Sequence, residues 1–309
     1  MKAARMWSFR RVTLNVFILS WACVLSACGL VELVRCAPDG EDSKFVGQSE
    51  TCFTNDGDGF KADSVAHPVY CFLGDRTKPP VLLLHELPGL SGKTLEYARE
   101  LSQDFTVYVP LLFGSTHMHS TPRGLAAFWL NGEWWGLESG TSDVVTWLRA
   151  VVLKIEEAHP GQQIGVIGNC LTGSLPLALL DNPRIHAAVL AQPTLPLTIF
   201  RNDEEVRKSL GISKDEIEQA KKSSAKIFYL RFDTDCVSKH EKLKMVRDTF
   251  PGRVSEAVIP AAEPPVINEH STLIGGWRVQ VESGKVARNA REDVRRFIRD
   301  PEKFELTSN

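Results

Sequence analysis

The chain has 309 residues, 43% of them hydrophobic and 24% charged, with a formal net charge of -2. That is the make-up of an ordinary globular protein with apolar surface enough for a core. A balance so close to neutral leaves no electrostatic footprint for nucleic acid, which is not expected as a partner. Function has to be sought in a site.

Lys2, Arg5, Arg10 and Arg11 precede an apolar stretch over 12–27, interrupted only by Thr13, Asn15, Ser20 and Ser26 and ending in Leu25-Ser26-Ala27-Cys28. A short apolar segment behind basic residues and closed by small ones reads as a secretory signal. Its last four residues resemble a bacterial lipobox, in which Cys28 becomes the lipidated amino terminus. A plain transmembrane anchor is the alternative, because 29–31 lengthen the apolar run towards the ~20 residues that span a bilayer. The small residues before Cys28 favour the lipobox. The expected organisation is a signal over 1–27, a lipidated tether over 28–50 and a folded domain over 51–309. That domain lies outside the cytoplasm and is held to a membrane by its lipid, and Gly29 favours the outer membrane of a Gram-negative cell.

Cys23 leaves with the signal and Cys28 carries lipid, so Cys36, Cys52, Cys71, Cys170 and Cys236 remain. That is an odd number in a compartment that permits disulfides. One thiol stays unpaired within the chain, and Cys170 is the natural candidate. Cys52 and Cys71 sit in two short apolar segments that suit adjacent strands and are expected to pair, although Cys36 could join either.

Along the rest of the chain, short strands are expected over 51–54 and 69–73, separated by the turn cluster Asn55-Asp56-Gly57-Asp58-Gly59. That cluster lacks the spacing of a calcium loop and reads as a turn. Residues 81–84 are a continuous apolar run, as in a strand buried on both faces. A helix follows over 93–103, a strand over 105–109, and a helix over 141–158 with Val144, Val145, Leu148, Val151, Val152 and Ile155 on one face. Next come a strand over 164–167, a sharp turn over 168–170 and a helix to 180. Strands over 187–191, 226–232 and 254–259 alternate with helices over 241–250 and 289–298, and 198–223 form a helical excursion. Alternating strands and helices imply a parallel sheet covered on both faces.

The chemistry concentrates at Gly168-Asn169-Cys170-Leu171-Thr172-Gly173. A cysteine at the tip of a strand-to-helix turn is presented away from the sheet, with the first N–H groups of the helix aimed at its sulfur. The pattern is close to the nucleophile elbow G-x-S-x-G, with Cys for Ser and Thr172 where the second Gly belongs. Such a nucleophile needs a base and a group to hold that base. His186 reads as structural and His240 as solvated, whereas His270 follows a loop rich in Pro and Glu where a base should fall. The acid lies just beyond the strand over 226–232, at Asp233 or Asp235. Backbone N–H groups of Leu171 and Leu87 are the candidate oxyanion donors. Glu86, beside Leu87, could take the thiol proton or hold it until substrate arrives.

Val81-Leu82-Leu83-Leu84-His85-Glu86-Leu87-Pro88-Gly89-Leu90, then Ala98-Arg99-Glu100-Leu101, then the Cys170 elbow resemble the dienelactone hydrolase family of α/β-hydrolases over 65–300. The resemblance implies an α/β-hydrolase fold and places that family's site at Cys170, Glu86, Asp235 and His270. Asp235 is preferred to Asp233 because Val237-Ser238 stands in for the family's Val-Pro pair. It further implies cleavage of an ester or enol-lactone through an acyl-enzyme, with no cofactor or metal. Thr172 departs from the elbow, where a larger side chain is expected to crowd the turn or the oxyanion approach. The arginines that hold a substrate carboxylate in that family have no clear counterpart.

Other patterns are weaker. Gly92-Lys93-Thr94 ends like a P-loop, but Leu87 stands where that motif needs Gly. His85-Glu86 lacks the second His of a zinc protease, since Gly89 occupies that position. His117 and His119 have no clear third ligand. Trp129, Trp134 and Trp135 suit either a pocket wall or the core. The rival to an enzyme is a lipid-anchored binding or envelope protein on a decayed hydrolase fold, because fold alone does not establish activity.

Overall fold

The computed structural model describes residues 50–53, 59–73, 77–116, 121–138, 142–196, 209–235, 237–260, 270–275 and 289–306. The expected signal and the tether up to residue 49, with Cys28 and Cys36, fall outside these residues, while Glu50, expected at the end of the tether, belongs to the first strand. Residues 54–58, which hold all of the expected turn cluster but Gly59, also fall outside, as do His117, His119 and Cys236.

The organising element is a sheet of eight strands: β1 (Glu50–Cys52), β4 (Val69–Phe72), β5 (Pro80–Leu83), β6 (Thr106–Pro110), β7 (Ile164–Asn169), β8 (Ile185–Ala191), β9 (Lys226–Phe232) and β10 (Val254–Ile259). Their spatial order is β1-β4-β6-β5-β7-β8-β9-β10. The pairs β1–β4 and β4–β6 are antiparallel and the rest are parallel. Strand residues alternate between two cores. Val81, Leu83, Val107, Val109, Val189 and Phe228 point to one face, and Leu82, Leu84, Tyr108, Val166, Leu190 and Tyr229 to the other. Burial on both faces is why these strands read as continuous apolar runs. Cys52 and Cys71 form a disulfide between β1 and β4, with Cα atoms 6.0 Å apart.

Helices cover both faces. α1 (Gly92–Leu101) and α7 (Ala290–Arg299) pack on the first, where Leu95, Ala98, Leu101, Val294 and Phe297 are buried. α3 (Asp143–Ala158) packs on the second through the apolar stripe expected from its spacing, with Trp147 added. Ser142 caps it by accepting from the Val145 amide. α5 (Lys214–Lys222) and α6 (His240–Thr249) complete the layers, and α5 lies within the expected excursion. No helix among the described residues is long and apolar enough to cross a membrane.

Three features depart from the sequence reading. A hairpin of β2 (Phe60–Ala62) and β3 (Val65–His67) was not expected, because three-residue strands carry too little alternation to register. α2 (Thr121–Leu130) was not expected either, since Pro122 and Gly124 within it read as breakers. A Cβ on Gly124 would stand 2.1 Å from the carbonyl oxygen of Pro88, so only glycine lets α2 pack this closely against the loop after β5. Finally, the helix expected to run from Cys170 to 180 is broken into a 3-10 turn, Cys170–Thr172, and the four-residue α4, Leu175–Ala178. Pro176 has no N–H for a bond back to Thr172, so the helix restarts around it. A sustained macrodipole therefore does not face the sulfur; only the local N–H groups of the 3-10 turn remain.

Candidate active site

The site is assembled at the carboxyl ends of β5, β7, β8 and β9, where open α/β sheets collect their ligands. At the end of β7, Cys170 has φ +53°, a left-handed conformation that a non-glycine residue adopts only under restraint. The restraint is visible. The Cys170 carbonyl accepts from the amides of Gly173 (2.9 Å) and Thr194 (3.0 Å). Gly168 makes room for the turn, because a Cβ there would lie 2.3 Å from the Thr172 carbonyl oxygen.

Thr172 is fully buried and braces the elbow. Its Oγ1 accepts from the Asn169 amide at 2.9 Å and lies 2.9 to 3.3 Å from the carbonyls of Asn169, His85 and Leu84, to one of which its single proton is donated. Asn169 Nδ2 donates to Leu84 O at 2.9 Å. The expected crowding is thus replaced by a clasp between the ends of β7 and β5, which a glycine could not make.

Cys170 is the free cysteine among the described residues and is 2% exposed. His270 lies close enough to it for Cys170 to help raise the pKa of the imidazole. On the other side of the ring, His270 Nδ1 lies 2.8 Å from Asp235 Oδ2. Asp235 Oδ1 accepts from the amides of Val237 (2.8 Å) and Ser238 (2.9 Å). Buried Arg231 donates to Ser238 O at 2.9 Å and to Asp235 O at 3.0 Å, so β9 itself fixes the acid's loop. Asp233 is exposed and takes no such position, while His186 bridges two backbone carbonyls and His240 opens α6 in solvent. Burial opposes the charged form of His270, but Asp235 by charge and hydrogen bond, together with Cys170, raises its pKa well above the ordinary value.

Glu86 follows β5 and is also buried. Its carboxylate accepts from Ser271 Oγ at 2.6 Å and from Gln192 Nε2 at 3.1 Å. Burial raises its pKa, offset in part by these bonds and by the nearby His270 and Lys93. Gln192 Oε1 in turn accepts from the amide of Thr272 at 3.2 Å and from Thr272 Oγ1. Glu86 and Gln192 therefore clamp the residues directly after His270. Leu87 lies in the turn beside Glu86, and Leu171 is the second residue of the 3-10 turn, within the first turn where an N–H has no intrahelical acceptor. His85 has its pKa lowered to about 4 by burial. Its Nε2 accepts from the Leu112 amide at 2.9 Å, leaving Nδ1 as donor to Glu86 O at 3.0 Å.

Thr194 was missed by sequence reasoning. Its Oγ1 lies 3.3 Å from Cys170 Sγ and 3.4 Å from His270 Nε2. The available signal was its place just past the end of β8, beside the elbow. Beyond it, Leu195 and Pro196 form part of the wall of a cavity of about 440 Å³ that Phe128, Trp129, Trp134 and Trp135 also line. Trp134 is buried against Phe128, whereas Trp129 and Trp135 are 44% and 68% exposed.

No family model matches the chain, and no curated protein matches it. Solved structures do. A protein from Klebsiella pneumoniae described as a dienelactone hydrolase aligns with a TM-score of 0.51 at 17% identity, covering 69% of this chain and 85% of that one. Est1E from Butyrivibrio proteoclasticus, in a structure with ferulic acid bound, gives 0.51 at 13% identity over 77% and 97%. A Staphylococcus aureus protein described as an esterase gives 0.50 at 9% identity over 90% and 92%. The chain has the α/β-hydrolase fold. In that fold the ends of β5, β7 and β9 carry Glu86, Cys170 and Asp235 respectively, and His270 follows β10.

Proposed function

We propose that the chain is a hydrolase that cleaves a carboxylic ester or enol-lactone through the thiol of Cys170. The observation that carries this reading is the buried line Cys170–His270–Asp235, with the cysteine at a left-handed strand end. In the first half-reaction Cys170 Sγ bonds to the carbonyl carbon while its proton passes to His270 Nε2. Asp235 accepts from Nδ1, fixing the ring and stabilising the imidazolium. The amides of Leu171 and Leu87 act as donors to the oxyanion. On collapse of the tetrahedral intermediate, the carbon–oxygen bond of the leaving alcohol breaks and the alcohol takes the proton from His270. Water then attacks the thioester, giving its proton to His270, and collapse returns the proton to sulfur as the acid departs.

Glu86 is placed in this scheme as a positioning residue. Its bonds to Ser271 and Gln192 support a role in holding His270, alongside the restraint on the thiol that a nearby carboxylate exerts by like-charge repulsion. The activities named for the Klebsiella and Staphylococcus proteins belong to those proteins and agree in class with the proposal. We also propose that Cys28 is lipidated and that the enzyme works outside the cytoplasm at a membrane, most simply the outer one. Metabolic labelling with a fatty-acid analogue, lost in Cys28→Ala, tests this.

The catalytic proposal is tested by a panel of chromogenic esters. Wild type hydrolyses at least one, and Cys170→Ala and His270→Ala abolish the activity. Equal inertness of all three proteins, with ligand still bound, favours the non-catalytic binding protein instead.

A further inference from the structure

The chain leaves β8 in a way that brings a hydroxyl onto the nucleophile. Gln192, the first residue past that strand, has φ +38°, which a non-glycine residue seldom adopts, and its amide donates to Leu230 O of β9 at 2.8 Å. Its side chain is held by Glu86 and Thr272, so the bend is fixed through backbone and side chain together. Gly173 then lets the following residues come close to the elbow, because a Cβ there would stand 2.6 Å from Pro193 Cα. Thr194 is the result. It is fully buried, and its amide donates to Cys170 O at 3.0 Å. Its Oγ1 is set between the two reacting atoms, 3.3 Å from Cys170 Sγ and 3.4 Å from His270 Nε2, with Gln192 O at 3.2 Å as a third neighbour.

A threonine hydroxyl has one proton to give and lone pairs with which to receive. Resting on the reading of Cys170 as nucleophile and His270 as its base, we propose that Thr194 is a further catalytic residue, whose hydroxyl bridges the thiolate and the imidazolium by donating to Sγ and accepting from Nε2–H. Both capacities of the hydroxyl are then used at once. Each bond has an ionised partner, which makes it roughly twice as strong as a neutral one. When sulfur carries a hydrogen or an acyl group instead, the same hydroxyl proton turns to Gln192 O, so this buried group keeps an acceptor in every state. The bridge therefore favours the thiolate over both the thiol and the thioester. It populates the attacking form before substrate arrives, and it steadies the sulfur as leaving group when the acyl-enzyme is hydrolysed.

The test reads the thiolate directly and needs no turnover. The full chain is treated with iodoacetamide at neutral pH as wild type, Thr194→Val, Thr194→Ala and Thr194→Ser, and alkylation of Cys170 is followed by peptide mass spectrometry. The ultraviolet absorbance of the thiolate is taken as the difference from Cys170→Ala. Loss of one hydrogen bond to a charged group is expected to slow alkylation roughly 10-fold in Thr194→Val, with a matching fall in thiolate absorbance. Thr194→Ser, which keeps the hydroxyl, should restore most of both. Thr194→Ala adds no methyl beside the sulfur, so a packing defect peculiar to valine does not decide the result. Wild-type thiolate in the valine and alanine variants overturns the proposal, as does a serine variant no better than valine. Slower alkylation without loss of thiolate absorbance also overturns it, because access to the sulfur and not its charge has then changed. Ester hydrolysis by wild type is measured alongside. If no ester is cleaved while Thr194→Val still loses thiolate, the hydrolase reading falls and the bridge stands; hydrolysis with thiolate indifferent to Thr194 removes only the bridge.

Discussion

Thr172 offers a direct perturbation of the elbow. Replacing it with valine keeps the branched shape and the methyl contact but removes the hydroxyl. The Asn169 amide, fully buried and otherwise held by Thr172 Oγ1 at 2.9 Å, then has no acceptor. A buried donor left unsatisfied costs about 1–3 kcal/mol. The clasp from β7 to the β5 carbonyls is lost as well, so the upper half of that range is expected. Serine makes the opposite change, keeping the hydroxyl and losing one methyl, for about 0.8 kcal/mol. Urea unfolding of wild type, Thr172→Val and Thr172→Ser should therefore rank them wild type, Ser, Val. For a domain of this size each kcal/mol moves the thermal midpoint by about 2–4 °C, so calorimetry checks the same order. Valine as stable as serine would refute the clasp, and a stabilising Thr172→Gly would restore the view that this side chain crowds the turn.

Other expectations follow from the same contacts. Cys170 is held at positive φ, so Cys170→Gly should unfold at no lower urea concentration than Cys170→Ala, which keeps the backbone strain; a clearly weaker glycine variant would contradict this. His270 has a raised pKa in the fold, so its stabilising contribution is full below 6.5 and is lost as pH rises through the higher folded value. Asp235→Asn should flatten the fall in unfolding free energy above pH 6.5, and an NMR titration of His270 should show its pKa dropping. Ser271→Ala removes a bond from the His270 loop to Glu86. It should lower kcat more than it raises KM, whereas a change confined to KM would exclude a positioning role. The Cys52–Cys71 bridge closes a segment with a sequence separation of 19, and Cys52→Ser with Cys71→Ser should cost about 3 kcal/mol in chemical denaturation.

Much of this molecule was legible because its signals are local. The apolar runs of β5 to β9 announce a sheet buried on both faces, and the spacing in α3 gives its buried stripe residue by residue. The Gly168-x-Cys170 turn is legible because it follows an apolar strand and nearly matches the nucleophile-elbow pattern. Asp235 and His270 were reachable from chain order, and their pairing needed the fold to bring residues 35 positions apart into contact. The bracing residues carried no such signal. Ser271 meets Glu86 across 185 positions and Thr272 meets Gln192 across 80, and nothing local marks a serine or glutamine as a clamp. Thr172 was visible as a departure from the elbow pattern, but its sign was not, because the carbonyls it binds come from the end of a strand more than 80 residues earlier. The break before α4 was readable at Pro176 and was overridden by the expectation of a long helix.

The central claim is that Cys170 becomes covalently acylated during turnover. Intact-mass spectrometry of the full chain, quenched in acid during reaction with a slowly deacylated aryl ester, reads this directly. The account predicts a mass increase equal to one acyl group, mapped to Cys170, absent in Cys170→Ala and persisting longer in His270→Ala if any forms there. Hydrolysis that continues in Cys170→Ala, or turnover of wild type without an adduct on Cys170 under any quench, would contradict it.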